Sequence, residues 1–128
     1  DKTLVLMDEN TYEYHKRTDL NAMAYTSVAK GYFSKLQGGG TISEKISARY
    51  DIPSNRQIFD ELVETANQLD TDIIQVELAF LMHQDFPSIP IVSFSSLEQL
   101  EQGMRSCELK LDEDTVNRLR NLKNYVIK

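Results

Sequence analysis

The stretch that decides the fold is AMAYTSVAKGYFSKL, residues 22–36. Its first four residues, Ala22 to Tyr25, predict a short buried strand, and the strand opens into a loop of small and hydroxylated residues. In α/β proteins ligands bind at such strand ends, because the backbone there can approach a bound phosphate closely. The stretch therefore predicts an α/β fold with a ligand site just beyond Tyr25.

A second stretch with the same organisation is IVSFSSLEQLEQG, residues 91–103. It predicts a strand from Ile91 to Phe94, and then a helix that begins with a capping box formed by Ser96 and Gln99. The apolar residues of this helix fall at 3-4-3 spacing and predict one narrow packed stripe: Leu97, Leu100, Met104 and Cys107. Because the segment between the two strands is helical, the strands should be parallel and the crossover right-handed.

Two helices are predicted between the strands. A capping pattern of Ser54 with Gln57 opens the first, and Asp72 with Gln75 opens the second. The second helix, 73–83, is apolar on nearly every side and should be the most buried one. Its one acidic residue, Glu77, therefore needs a partner or an exposed edge.

The remaining segments give weaker signals. A first helix is predicted from about Thr11 to Arg17, preceded by an apolar run, residues 4–7, that could be a strand or a buried lead-in. The three glycines 38–40 predict a flexible loop, and the region up to Pro53 should be irregular or weakly helical. A last helix is predicted after the acidic cap residues 112–114, with the apolar stripe Val116, Leu119, Leu122 and Val126.

The two strand–loop stretches resemble the seventh and eighth strands of the aldo/keto reductases, with the loops that follow them. These enzymes are NADP-dependent oxidoreductases with a TIM-barrel fold. A complete (β/α)8 barrel needs about 200 to 250 residues, whereas this chain has 128. The resemblance therefore implies a C-terminal fragment of a (β/α)8 TIM barrel, with two parallel strands and several helices in a single partial domain, 1–128.

The resemblance also implies which residues bind the nicotinamide cofactor. Tyr25 matches the aromatic residue whose ring stacks on the nicotinamide, residues 26–28 match the loop at the pyrophosphate, and Lys30 could add a counter-charge. The complete set is Tyr25, Thr26, Ser27, Val28, Lys30, Ser93, Phe94, Ser95, Ser96, Gln99 and Gln102. The residues alone leave two alternatives open: Tyr25 is a core aromatic, and Ser95 and Ser96 only cap their helix.

The resemblance to the aldo/keto reductases leaves the preference between NADP and NAD open. The family holds the adenosine 2′-phosphate with a basic loop residue and often an arginine in the following helix, and these positions are Ser93 and Gln99 here. The family's Glu-Asn pair at the adenine becomes Gln102-Gly103. Either NADP or NAD is therefore expected as the cofactor of the complete protein.

The family's catalytic groups lie in the part of the barrel that this sequence does not match. Tyr12, Tyr14, His15 and Lys16 only superficially assemble such groups, so no catalytic residue is assigned to this chain. His83 is interpreted as a helix-capping residue and Cys107 as a buried small apolar residue. No His/Cys cluster has metal-ligand spacing, so no metal site is predicted.

The composition of the chain limits the classes of partner that it is expected to bind. The net charge of −6 argues against nucleic acid and anionic membranes, which need a clustered basic surface. The single cysteine favours the reducing cytoplasm. Two strands alone have unpaired edges, so a homo-oligomer is expected. Two functions follow: the cofactor-binding portion of an NAD(P)H-dependent carbonyl reductase, inactive by itself, or a non-catalytic α/β structural or interaction domain.

Overall fold

The computed structural model describes residues 7–122. Most of the predicted apolar run 4–7, and residue Val126 of the last predicted stripe, lie outside this range. The described elements, in chain order, are α1 (Glu9–Thr18), β1 (Ala22–Ala24), a 3-10 turn (Ala29–Gly31), α2 (Tyr32–Gly38), α3 (Glu44–Tyr50), α4 (Pro53–Gln68), α5 (Ile73–Met82), β2 (Ser88–Pro90), α6 (Leu97–Arg105) and α7 (Glu113–Asn121).

The two strands pair in parallel, as predicted. The register places Ala22 opposite Ser88 and Ala24 opposite Pro90. The predicted strand Ile91 to Phe94 is wrong, because β2 lies three residues earlier and its pairing with β1 ends at the Ile91 N–H, which donates to Ala24 O at 2.8 Å. Beyond that bond the chain turns into a loop, although its sequence is as apolar as a strand.

The two edges of this sheet differ. In a parallel strand the N–H and C=O of one residue point to the same side, so the peptide groups of Ala22 and Ala24 face β2 and those of Met23 face away from it. On the far side of β2 the outward residues are Ser88 and Pro90, and proline has no N–H to donate. Among residues 7–122 no third strand joins either edge.

Four helices, rather than the predicted two, connect the strands. α2 was missed, because seven residues carry only a short apolar pattern, yet Tyr32 and Phe33 are both buried in the core. The tri-glycine segment ends this helix: Gly39 has φ +64° and its N–H returns to Lys35 O. The weakly helical region is the regular helix α3.

The core lies where α2, α4, α5 and α7 meet. Its buried members are Tyr32, Phe33, Leu62, Ala66, Ile73, Val76 and Leu119. The prediction that α5 is the most buried helix is confirmed, since six of its ten residues are buried. Tyr32 donates a hydrogen bond to Asp51 at 3.2 Å, which ties α2 to the start of α4 through the Asp51–Arg56 ion pair.

The predicted caps have mixed outcomes. At α5, Gln75 Oε1 accepts from the Asp72 N–H at 3.1 Å, as predicted. The capping box of Ser54 with Gln57 is wrong, because Pro53 is already inside α4 and Ile52 is the N-cap residue. Proline suits this first helical turn, since its missing N–H would have had no helical partner.

The apolar stripe of α6 is exposed rather than packed. Leu97 is 69% exposed and Met104 60%, and Leu100 and Cys107 are also exposed. The helix instead packs through Gly103, where an added Cβ would lie 2.3 Å from the ring of Phe94. The prediction of a buried Cys107 is therefore wrong.

Candidate functional site

The carboxyl ends of the two strands meet at an open cleft of about 740 Å³, here named the first cleft. The segment that follows β1 forms one wall and the segment that follows β2 forms the other. Ten of the eleven residues predicted to bind the cofactor line it: Tyr25, Thr26, Ser27, Val28, Lys30, Ser93, Phe94, Ser95, Gln99 and Gln102. The eleventh, Ser96, is not among the lining residues. The parallel pairing therefore brings two distant segments of the sequence to one place.

Ser27 fastens the two walls together. Its Oγ lies 2.6 Å from Ala24 O and 3.2 Å from Ile91 O, so the hydroxyl bridges the ends of both strands. The hydroxyl proton is therefore used in these contacts with the backbone. Ser27 stabilises the shape of the cleft and is less available as a hydrogen-bond donor to a ligand.

The wall after β1 has an unusual backbone. Thr26, Ala29 and Lys30 have φ values of 60°, 46° and 57°, a region that residues with a Cβ seldom adopt. Residues held in such conformations cluster at ligand sites. Tyr25, which begins this wall, is 79% exposed, so the alternative of a core aromatic is wrong.

The wall after β2 is closed by Gln99. Its Oε1 accepts from the Ser95 N–H at 3.0 Å and lies 3.2 Å from Ser95 Oγ. Ser96 Oγ in turn accepts from the Gln99 N–H at 3.2 Å and caps α6, which confirms the predicted capping role of Ser96. Phe94 rests on Gly103 and fixes the middle of this wall.

The first cleft is positively charged, although the chain carries a net charge of −6. Its lining includes two lysines and no carboxylate. Sequence reasoning missed eight lining residues: Gly31, Ser34, Lys35, Gly38, Gly40, Ile74, Ile91 and Val92. Lys35 was not predicted as a site residue because α2 was not predicted, and it is this helix that places Lys35 beside the strand ends.

A larger open cleft of about 1400 Å³ lies beside β1, between α1, α5 and α7, and is here named the second cleft. Glu77 of α5 lines it and is only 7% exposed, and its Oε2 has no hydrogen-bond partner among the described residues. Burial raises the pKa of Glu77 to about 8. Glu77 therefore reaches the edge of the second cleft, as one of the two expected alternatives requires, but its Oε2 is buried without a partner among the described residues.

The tyrosine–histidine–lysine group of α1 serves structure in the described part of the chain. His15 Nδ1 lies 2.8 Å from Leu20 O, and Lys16 forms an ion pair with Asp85 at 3.2 Å. Burial raises the pKa of Tyr12, whose ring packs edge-on against Phe86. These contacts anchor α1 beside the second cleft.

Three further observations concern sites of other kinds. His83 ends α5 and its Nδ1 lies 2.8 Å from Ala79 O, which confirms the capping interpretation. Within residues 7–122 no group of three His, Cys, Asp or Glu side chains is placed to hold a metal ion. Over the same residues, none of the helices has the length and apolar content that crossing a membrane requires.

The fold and the first cleft together define a class. Two adjacent parallel strands, covered by their crossover helices and bearing a cleft at their carboxyl ends, are typical of α/β proteins, including the (β/α)8 barrels. The chain belongs to the aldo/keto reductase family, whose family model matches residues 3–124.

A solved structure agrees on the fold. The chain is similar to the thermostable aldo-keto reductase Tm1743, which was crystallised with the inhibitor epalrestat, with a TM-score of 0.60 and 22% sequence identity. The match covers 89% of this chain and 34% of that one, so the chain spans about a third of that relative's length. No curated protein sequence matches the chain.

Proposed function

We propose that this chain is the cofactor-side portion of an aldo/keto reductase and that the first cleft binds a nicotinamide dinucleotide, NADP(H) or NAD(H). The observation that carries the proposal is the convergence of ten predicted cofactor residues on one cleft. These residues come from two segments more than sixty positions apart, as the Ser27–Ile91 contact shows. The parallel pairing brings the two loops together, and the residues on both of them are ones that the family resemblance assigns to the cofactor.

The residues present fit such a cofactor. A dinucleotide carries anionic phosphates and flat rings, and the first cleft offers two lysines, several hydroxyl and amide groups and an exposed aromatic ring. When bound, the nicotinamide supplies the hydride that reduces a small aldehyde or ketone in the complete protein. The exposed face of Tyr25 orients the nicotinamide ring, and the loop backbone holds the phosphates.

The cleft is proposed to accept NADH about as well as NADPH. Ser93 and Gln99 carry no charge, and the Gln99 Oε1 is already engaged by Ser95. A charge-assisted hydrogen bond contributes roughly 1.5–3 kcal/mol, which is about ten- to a hundredfold in affinity. Without it at the 2′-phosphate, the usual preference for NADPH is lost.

The test is a titration of the full chain with NADH and NADPH, followed by nicotinamide fluorescence. Both should bind with dissociation constants within about tenfold of each other, and Tyr25→Ala should weaken both. Tyr14→Ala is the matched control, because Tyr14 is also exposed but lies on α1 outside the first cleft. Absence of binding by either dinucleotide would contradict the proposal.

That negative result would favour the second candidate, a non-catalytic interaction domain. One observation supports it: the sheet exposes an apolar face formed by Met23, Tyr25, Ile89 and Ile91. Association of copies through the unpaired strand edges remains a prediction, which gel filtration over a range of concentrations tests. A cytoplasmic location and the absence of nucleic-acid and membrane partners also remain predictions.

A further inference from the structure

The second cleft has the opposite charge to the first. The carboxylates of its lining are Asp8, Glu9, Glu13, Glu77 and Asp85. Two cationic side chains, Lys16 and Arg120, also line it, and both form ion pairs with Asp85, at 3.2 Å and 3.3 Å. Even with Glu77 protonated, the acidic groups outnumber the cationic ones. The second cleft therefore attracts a cation and repels an anion.

Glu77 is the buried member of this acidic group. It is 7% exposed, and its Oε2 has no hydrogen-bond partner among the described residues. Burial raises its pKa to about 8, and no neighbouring cation counteracts this shift. A buried carboxyl without a partner costs free energy, which a paired cation offsets. The free oxygen is therefore a binding point for a cationic group that enters the second cleft.

The lining also suits an apolar body attached to that cationic group. The aromatic residues of the cleft include Tyr12, Phe33, Tyr50, Phe80 and Phe86. Aromatic rings pack against apolar groups and attract cations on their faces. One such contact is already present, since the guanidinium carbon of Arg120 lies 5.1 Å from the centroid of the Tyr12 ring.

We propose that the second cleft binds an organic ammonium ion, with the ammonium group paired to the Glu77 carboxylate and the apolar body against the aromatic rings. The ammonium group belongs to a small amine or to a lysine side chain of another polypeptide, because both carry a compact charge on an apolar stem. When it binds, Glu77 loses its carboxyl proton to the solvent and the two opposite charges face each other. This site does not require the proposed function, which concerns the first cleft.

The experiment is a calorimetric titration of the full chain at pH 7 with benzylamine, and with benzyl alcohol as its uncharged counterpart. Benzylamine should bind at least about tenfold more tightly than the alcohol, and Glu77→Gln should weaken its binding about ten- to a hundredfold. Glu13→Gln removes an exposed carboxylate from the same cleft and should weaken binding by less than about fivefold. Glu101→Gln is the matched control outside both clefts and should leave binding unchanged.

Proton release is the second readout. When the titration is repeated in two buffers of different ionisation enthalpy, the wild-type chain should release up to about one proton on binding benzylamine, whereas Glu77→Gln should release none. A parallel titration with Nα-acetyl-lysine amide distinguishes the two sources of the ammonium group. Tighter binding of this compound than of benzylamine would identify a polypeptide lysine, and the reverse order would identify a small amine.

Several outcomes would overturn the proposal. They are absence of binding by both ammonium compounds, equal affinity for benzylamine and benzyl alcohol, and an equal loss of affinity in Glu77→Gln and either of the other two variants. Binding of benzylamine to the wild-type chain without proton release would also overturn it, because the ammonium group would then not be paired with Glu77.

Discussion

Replacing Glu77 with glutamine should make the protein more stable in neutral and alkaline solution. The carboxyl is 7% exposed, Oε2 has no partner among the described residues, and burial raises its pKa from 4.5 to about 8. The folded state therefore binds this proton more tightly than the unfolded state. The stabilisation is fully present below pH 4.5 and is lost as the pH rises to about 8.

The size of the effect follows from the pKa. At about 1.36 kcal/mol per pKa unit, a rise from 4.5 to about 8 corresponds to on the order of 4–5 kcal/mol. Domains of this size are stable by only about 5–15 kcal/mol, so the wild-type chain should lose a large fraction of its free energy of unfolding. Glu77→Gln keeps the shape without the titrating group, so this loss should be absent from its pH profile.

The assay is urea denaturation followed by circular dichroism at a series of pH values between 4.5 and 8. Glu101→Gln is the control, because Glu101 is exposed on α6 and its replacement removes the same charge. We expect the profile of Glu101→Gln to follow that of the wild type. Parallel profiles for Glu77→Gln and the wild type would refute the reasoning, since Glu77 would then be solvated or paired in solution.

Three further predictions test the packing. Leu62→Ala should lower the free energy of unfolding by about 2–5 kcal/mol because the side chain is buried in the core. Leu97→Ala should change it by less than about 0.5 kcal/mol. Urea denaturation of both variants checks this, and equal losses would show that the apolar stripe of α6 is packed. Gly103→Ala should destabilise the chain by about 1–3 kcal/mol, because its new Cβ would clash with the ring of Phe94. Gly38→Ala should be neutral or stabilising, since nothing lies within 4 Å of its Cβ position. Equal effects of the two substitutions in the same assay would contradict this. Cys107 should react with Ellman's reagent in the native chain at a rate close to that of a free thiol, because it is exposed, and a reaction that needs denaturant would contradict its placement.

The sequence predicts the parallel pair and the buried α5 because each depends on strong local signals, whereas the site shared by the two loops was implied by the resemblance to the aldo/keto reductases. A long apolar helix has nowhere to lie except the core, and a helical connection leaves its two strands parallel. Gln75 at the start of α5 and Ser96 at the start of α6 are equally local, since each cap is satisfied within four residues.

The errors share a different cause, which is that they depend on contacts between distant segments. Whether Ile91 belongs to a strand is decided by the register with β1. Whether Leu97 is buried depends on which other segment packs against α6. The spacing of apolar residues predicts an apolar stripe on the helix, but it does not show which segment covers that stripe. The positive φ of Lys30 and the return of Lys35 toward the strand ends also leave no mark in the residue pattern, so part of the first cleft was missed.

The difference between Met23 and Pro90 gives the strand pair a polarity. Among residues 7–122, the N–H and C=O of Met23 have no strand partner on the β1 edge. On the β2 edge Ser88 offers both groups, but Pro90 offers only its C=O. An added strand therefore finds one donor fewer on the β2 edge. A polypeptide that adds a strand to this sheet therefore forms the more complete set of backbone hydrogen bonds at the β1 edge, beside Met23.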